Sequence, residues 1–151
     1  MPLQRIAIPS DEVQLFVKRE DLLHPSVPGN KWRKLKYNLK QAQSEGLQTL
    51  LTFGGAYSNH IAAVASAGRL YGFKTVGIIR GEELADKVSS NPTLSFAQKS
   101  GMQLEFISRS DYRNKADTDF VSRLKQRFGS AYILPEGGTN ALAVKGCEEI
   151  L

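Results

Sequence analysis

Cysteine is nearly absent from this chain: Cys147 is the single thiol, so no disulfide can close within it. Histidine is almost as scarce. His24 and His60 stand far apart without carboxylates at ligating spacing, and no metal site is expected. No apolar run approaches the ~20 residues that span a bilayer. The start, MPLQRIAIPSDEVQ, has neither the basic-then-apolar layout of a secretory signal nor the Arg/Ser bias of a transit peptide. These absences lead to the expectation of a cytoplasmic protein with no membrane partner. Acidic residues are outnumbered, 15 against 20 basic, for a formal net charge of +5. Such an excess attracts nucleic acid, an anionic membrane or a phosphorylated small molecule, so charge alone does not choose. The basic residues are spread along the chain, and their one cluster, Lys31, Arg33, Lys34, Lys36 and Lys40, accompanies no nucleic-acid-binding motif. No nucleic-acid partner is expected, and apart from Lys31 the cluster reads as a solvated face.

The 151 residues, 41% of them hydrophobic, suffice for the core of one globular domain. Five short apolar runs predict strands over 14–17, 49–53, 74–79, 103–107 and 131–134. Helical periodicity is read over 31–45, 58–71, 92–100 and 115–128, and again from 141, where the pattern is still running at Leu151. Asn91-Pro92 predicts an N-cap followed by proline in the first turn, and Gly46, Gly72, Gly101 and Gly129 follow helix ends. This alternation predicts an α/β fold, an open parallel sheet with flanking helices. The terminal GCEEIL carries no helix-ending glycine or cap, so a longer parent chain is expected.

Three stretches carry candidate chemistry. In Gly29-Asn30-Lys31-Trp32, Asn30 is a plausible N-cap, which puts Lys31 in the first helical turn. The positive end of the helix dipole disfavours a protonated amine there, which suits a lysine that must lose its proton and attack a carbonyl. An ordinary basic first turn is the plain alternative. In Gly54-Gly55-Ala56-Tyr57-Ser58-Asn59-His60, a buried strand meets a glycine pair and then a helix, beside the carboxyl end of a parallel strand where open α/β sheets place ligands. The alternative is that Ser58 caps the helix, Asn59 is exposed and His60 is a satisfied surface histidine. Pro135-Glu136-Gly137-Gly138-Thr139-Asn140 repeats the arrangement, as a second wall of one crevice or as a simple connection. Trp32, Tyr57 and Tyr112 are candidates to stack on a flat ring or to serve only as packing.

Taken together, GNKWRKLKYNL and GGAYSNHIAAVASAGRLYGFKTVGIIRG resemble the family that contains 1-aminocyclopropane-1-carboxylate deaminase and D-cysteine desulfhydrase. The likeness runs from VKREDL at Val17 through EGGTNALAVKG at Glu136. It implies a fold-type-II pyridoxal 5'-phosphate enzyme, similar to the tryptophan synthase β chain, represented by its N-terminal half with the small domain complete and the large domain truncated. By this resemblance Lys31 holds the cofactor's aldehyde, with Asn30 and Gly55 beside the cofactor and Asn59 bonded to its phenolic oxygen. Ser58 contacts the substrate carboxylate or assists proton transfer, which makes Lys31 and Ser58 the catalytic pair and Ser58, Asn59 and His60 the substrate-facing residues. His60 stands where desulfhydrase-like members carry histidine and deaminase-like members often carry glutamine.

Departures from the family pattern bear on the substrate. Pro28 replaces the first glycine of GGNK, Lys36 takes the place of a glutamate, and Ile61-Ala62-Ala63 follows SNH where many members have an arginine–glutamine pair. The family's glycine-rich phosphate loop, its partner for the pyridine nitrogen and its substrate-side tyrosines lie outside the matched segment. By the same resemblance residues 1–40 belong to the large domain, 41–135 form the small four-stranded domain and 136–151 return to the large one. The activity implied for the complete enzyme, a homodimer, is release of ammonia, or of ammonia and sulfide, and a 2-oxo acid from a small amino acid. The 151 residues alone are expected to turn over little or nothing. An α/β binding or oligomer-partner module that keeps the fold without the chemistry is the alternative.

Overall fold

The computed structural model describes residues 2–9, 12–27 and 29–150; Pro28, where the family glycine is replaced, lies outside them. The chain opens with β1 (Leu3–Ile6) and β2 (Leu15–Lys18), paired antiparallel with Leu3 opposite Lys18 and Ile6 opposite Leu15. The first expected strand is therefore present, and its partner β1 is an element the apolar pattern did not flag. Next come α1 (Asn30–Ser44), β3 (Thr49–Gly54), α2 (Asn59–Tyr71), β4 (Lys74–Arg80), α3 (Pro92–Lys99) and β5 (Met102–Ile107). The short α4 (Arg109–Arg113), α5 (Thr118–Phe128), β6 (Ala131–Ile133) and α6 (Ala141–Glu148) complete the order.

Strands β3 to β6 form a parallel sheet in the order β5-β4-β3-β6, with Leu51 opposite Val76 on one side and Ile133 on the other. This is the expected open α/β sheet. Its central strands are buried on both faces, which is why they read as unbroken apolar runs rather than as alternating ones. Leu50 of β3 and Ile79 of β4 pack into a core with Leu35 and Leu39 of α1, Ile61 and Val64 of α2 and Leu94 of α3. Leu51, Phe53, Val76 and Ile78 point the other way, onto Tyr112 of α4 and Phe120 and Leu124 of α5. Among the described residues no helix is long and apolar enough to cross a membrane.

Local sequence chemistry accounts for most helix ends. Ser58, Asn91, Ser108, Asp117 and Asn140 each accept a backbone N–H in the first turn of the helix that follows. Gly46, Gly72, Gly101 and Gly129 take positive φ after helix ends, as expected of them. Three expectations are corrected. Asn30 is the first residue of α1 rather than its cap: Gly29, at φ 61, occupies the cap position with no side-chain bond to the free N–H groups. The helix expected from Lys115 starts at Thr118, because the Asp117 carboxylate bonds the Asp119 and Phe120 N–H groups and so sets the boundary. The last helix, expected to be still running at the end of the chain, ends at Glu148 with Glu149 in the cap position; Leu151 lies outside the described residues.

Helix α6 returns along α1 with almost no space between the backbones. A Cβ on Gly146 would lie 2.0 Å from the Arg33 carbonyl oxygen, too close for any side chain. Gly146→Ala is therefore expected to destabilise the fold by about 1–3 kcal/mol despite alanine's better helix propensity. Urea unfolding measures this, and an unchanged or raised midpoint would contradict the packing described.

Candidate active site

The segment leading to Lys31 is tied down before α1 begins. Glu20 accepts both Nε (2.5 Å) and Nη2 (2.9 Å) of Arg33, and Arg33 is only 5% exposed. This fork-to-fork pair holds the Glu20 carboxyl below its usual range, and the Glu20 carbonyl also accepts the Gly29 N–H at 3.0 Å. His24 Nδ1 accepts the Ser26 and Val27 N–H groups, and Val27 is fully buried. The first turn of α1 thus has a defined position although it lacks a side-chain cap.

Lys31 projects from that turn into a cavity of about 470 Å³, lined also by Asn30, Asn59, Ser26, Ala62, Ala63 and Phe96. No carboxylate lines it. The amine makes no hydrogen bond or ion pair with the described residues. Burial, and then the neighbouring Lys34 ammonium, hold its pKa below the usual lysine value. Lys34 is engaged elsewhere, donating to Thr139 Oγ1 at 2.8 Å and to the Gly137 carbonyl at 3.4 Å.

Asn59 reaches this cavity because of how β3 ends. A Cβ on Gly54 would lie 2.5 Å from Ile61 Cγ1 and 2.9 Å from Ser58 Cβ, so only glycine lets α2 start directly against the strand. Ser58 Oγ accepts the Ile61 N–H at 3.3 Å, and its own hydroxyl proton remains free to be donated. Asn59 is exposed, and Tyr57, the candidate stacking residue, is 74% exposed.

The predicted site residues are not gathered into a single cavity. Asn30, Lys31 and Asn59 share the first, whereas Gly55 and Ser58 line a second of about 490 Å³, with Tyr57, Arg80, Arg109 and Glu136. Through Glu136 the second glycine-rich turn does meet the first one. The other two aromatic candidates are packed: Trp32 stacks on His24 at 4.5 Å and on Tyr71 at 5.8 Å, and Tyr112 meets Phe53 edge-on at 6.4 Å.

His60 lines neither cavity. It is 2% exposed, turned back onto β3, with Nε2 2.9 Å from Thr52 Oγ1. Thr52 spends its hydroxyl proton on the Leu134 carbonyl at 3.1 Å, so Nε2 must carry the imidazole hydrogen and Nδ1 the lone pair. Nδ1 has no partner, and a side chain on Gly138 would lie 2.7 Å from the ring. Burial first, then the Lys31 and Lys34 charges, lower the His60 pKa to about 4, against a weaker opposing pull from Glu136.

Sequence reasoning did not find Ser26 and Phe96, which help to wall the Lys31 cavity, or Arg80 in the second one, and it met Ala62 and Ala63 only as departures from the family pattern. Only Arg80 had a signal. It is a charged residue at the carboxyl end of a buried strand, at the height of the glycine pair.

No family model matches the chain. A sequence from Thermotoga maritima, an inferred 1-aminocyclopropane-1-carboxylate deaminase, is 35% identical over 135 residues, covering 87% of this chain and 42% of its own length. The bifunctional D-cysteine desulfhydrase/1-aminocyclopropane-1-carboxylate deaminase of Arabidopsis thaliana, mitochondrial by name, is 27% identical over 96% of this chain and 38% of its own. The chain is homologous to part of the 1-aminocyclopropane-1-carboxylate deaminase and D-cysteine desulfhydrase proteins. Among solved structures, an ACC deaminase homologue superposes with a TM-score of 0.75 at 27% identity, over 96% of this chain and 44% of its own. The fold is that of the fold-type-II enzymes. The chain spans about 40% of the length of these deaminase/desulfhydrase relatives.

The buried imidazole makes stability pH-dependent in a fixed sense. An unfolded histidine titrates near ~6.5, so the unfolded chain takes up the proton before folded His60, at about 4, does. His60 therefore contributes stability that is fully present above pH ~6.5 and is lost, to the extent of about 3 kcal/mol, as pH falls through that window. Unfolding free energies at several pH values check this. His60→Gln is expected to flatten the slope in the window, and an identical slope would show that His60 is not its source.

Proposed function

We propose that the cavity walled by Lys31, Asn30 and Asn59 receives pyridoxal 5'-phosphate. The longer protein to which this chain corresponds would then be a deaminase or desulfhydrase acting on a small amino acid of the D-cysteine or 1-aminocyclopropane-1-carboxylate type. One observation carries the reading: the partly buried Lys31 amine stands in a half-open cavity with no carboxylate in its wall, shared with the asparagine of the serine–asparagine turn. The residues present fit the group, since the wall offers a poorly solvated amine, two side-chain amides and the apolar surface of Ala62, Ala63 and Phe96. When bound, the cofactor's ring withdraws electrons from the substrate carbon that loses a proton.

This chain's own residues bind, orient and move protons. Lys31 holds the cofactor through its amine, and the lowered pKa enlarges the share of neutral, nucleophilic amine near neutral pH. The exposed amide of Asn59 donates to an oxygen on the ring, and Asn30 closes the same wall. Ser58, with its oxygen occupied by the Ile61 N–H and its proton free, donates to a substrate carboxylate or carries a proton at Oγ. His60 acts from behind the turn, where its bond to Thr52 pins the start of α2 to the sheet. Gly55 keeps the backbone open on the substrate side. In this reading residues 41–135 are the small domain of a two-domain enzyme, and the phosphate contacts come from outside these 151 residues.

Titration of the chain with pyridoxal phosphate is expected to produce a visible absorbance band that is lost in Lys31→Ala and kept in Lys34→Ala. A band that survives in Lys31→Ala, or none in any variant, would overturn the assignment. Assays of 2-oxo acid release from D-cysteine and from 1-aminocyclopropane-1-carboxylate are expected to show no turnover by the 151-residue chain above a protein-free control. Sustained release would mean that the phosphate contacts lie within it after all.

A further inference from the structure

In the bend ahead of Lys31, two backbone N–H groups converge on one imidazole. Of residues 25 to 28 only Ser26 and Val27 carry a backbone N–H, since the other two are prolines. Both donate to His24 Nδ1, at 3.2 Å and 3.0 Å. Nδ1 stands as many bonds from Cα as the side-chain oxygen of an asparagine does. The imidazole therefore closes the kind of bend that asparagine and aspartate close by accepting N–H groups from residues further on. The proton state of the ring follows. An amide N–H only donates, so Nδ1 holds the lone pair and, in the neutral ring, Nε2 carries the hydrogen. Nε2 lies 3.4 Å from the Tyr71 hydroxyl oxygen, which accepts that hydrogen.

The ring also does what an asparagine cannot. It stacks on Trp32 of α1, with centroids 4.5 Å apart and planes at 27°, and meets Tyr71 at the end of α2 at 6.4 Å. The bend is thereby fastened to both helices that wall the Lys31 cavity. Part of that wall is the bend itself: Ser26 lines the cavity beside Asn30 and Lys31, while Val27 is fully buried in the core that includes Leu35 of α1. At the far end, the Gly29 N–H is held by the Glu20 carbonyl. An imidazole turned over, or one protonated on both nitrogens, offers the Ser26 and Val27 N–H groups no acceptor, and the buried Val27 N–H is then left unpaired at a cost in free energy.

We propose that His24 is a positioning residue for Lys31: as a neutral ring with Nδ1 unprotonated, it holds residues 24–27 in the bend that sets Ser26 in the cavity wall and delivers the first turn of α1 against α2. His24 does not line the cavity; it acts through Ser26 and Val27. The acceptor at Nδ1 shapes the bend, and the stack on Trp32 fixes where the ring stands. The bend and its tautomer are properties of the chain alone. That a correctly placed Lys31 serves a cofactor rests on the function proposed above.

Imidazole nitrogen chemical shifts of the isotopically labelled full chain are expected to show His24 with its hydrogen on Nε2 and none on Nδ1. A hydrogen on Nδ1 overturns the inference whatever the cofactor does. Titration with pyridoxal phosphate then compares two variants: His24→Asn keeps an acceptor at the same distance from Cα without the ring, and His24→Phe keeps a ring to stack without the acceptor. Half-saturation of the visible band is expected at a concentration at least ~10-fold above wild type in His24→Phe, the order of one hydrogen bond lost from a buried donor, and within ~3-fold of wild type in His24→Asn. Fluorescence of Trp32, the one tryptophan, follows urea unfolding of the same samples and sets conditions in which each variant is folded. Wild-type affinity in His24→Phe, or a loss in His24→Asn as large as ~10-fold, overturns the assignment, and the second outcome decides even where His24→Phe does not fold. No band in the wild-type chain refutes the function proposed above instead. The Ser26 and Lys31 amide shifts, expected to move in His24→Phe and to stay near wild type in His24→Asn, then decide the role of His24 without the cofactor.

Discussion

The arrangement of this chain depends on a missing side chain at the end of β3. The backbone of the first turn of α2 comes so near the strand that a methyl group on Gly54 would overlap Ile61 and Ser58. With that space empty, the four residues 55–58 suffice to turn the strand into the helix, and three consecutive polar residues leave the turn in three directions. Ser58 faces the cavity of Arg80, Asn59 faces the cavity of Lys31, and His60 turns into the sheet. A longer connection would leave these side chains on a flexible loop. Here they inherit the rigidity of the most buried strand in the sheet.

Charge is handled unevenly around this turn, and the unevenness is informative. Arg33 is buried against Glu20, Lys34 donates to the Gly137–Thr139 segment, Arg109 pairs with Glu83 and Lys115 with Glu136. Lys31 receives no hydrogen-bond acceptor from the described residues, whereas Arg80 lies within the field of the Glu136 carboxylate and over the Tyr112 ring. Desolvating a cation without an acceptor costs free energy, so the partly buried Lys31 amine fits the ligand contact proposed for it better than a role in holding the fold. His60 fits the same pattern from the other side. A positive charge there would add to those of Lys31 and Lys34, and its buried neutral form keeps the back of the turn free of a third cation.

The exposed apolar residues of the first hairpin, Leu3, Leu15, Phe16 and Val17, belong to elements outside the four-stranded sheet. Together with the 38–44% of their own lengths over which the deaminase and desulfhydrase relatives match, they agree with a chain that corresponds to part of a larger assembly of secondary structure. The parallel sheet needs nothing further, since both of its faces are already covered by helices from within the 151 residues.

What the sequence determined by itself was whatever depends on neighbours a few residues away. The apolar runs of β3 and β4, the periodicity of α1 and α2, the caps at Ser58 and Asn91 and the glycines after helix ends are set by hydrogen bonds and packing within one or two turns. Asn30 shows the limit of that reasoning: a good capping residue was present, but the path entering α1, fixed by Glu20 and Arg33, put Gly29 at the cap instead. Only the tertiary structure decided that β1 pairs with β2, that His60 is buried against Thr52, that Phe96 of α3 closes the Lys31 cavity and that Arg80 hangs over Gly55. Each of these depends on how whole elements lie against one another, through the antiparallel pairing of β1 with β2, the packing of α2 on β3 and the strand order β5-β4-β3-β6, none of which is encoded within reach of a single turn.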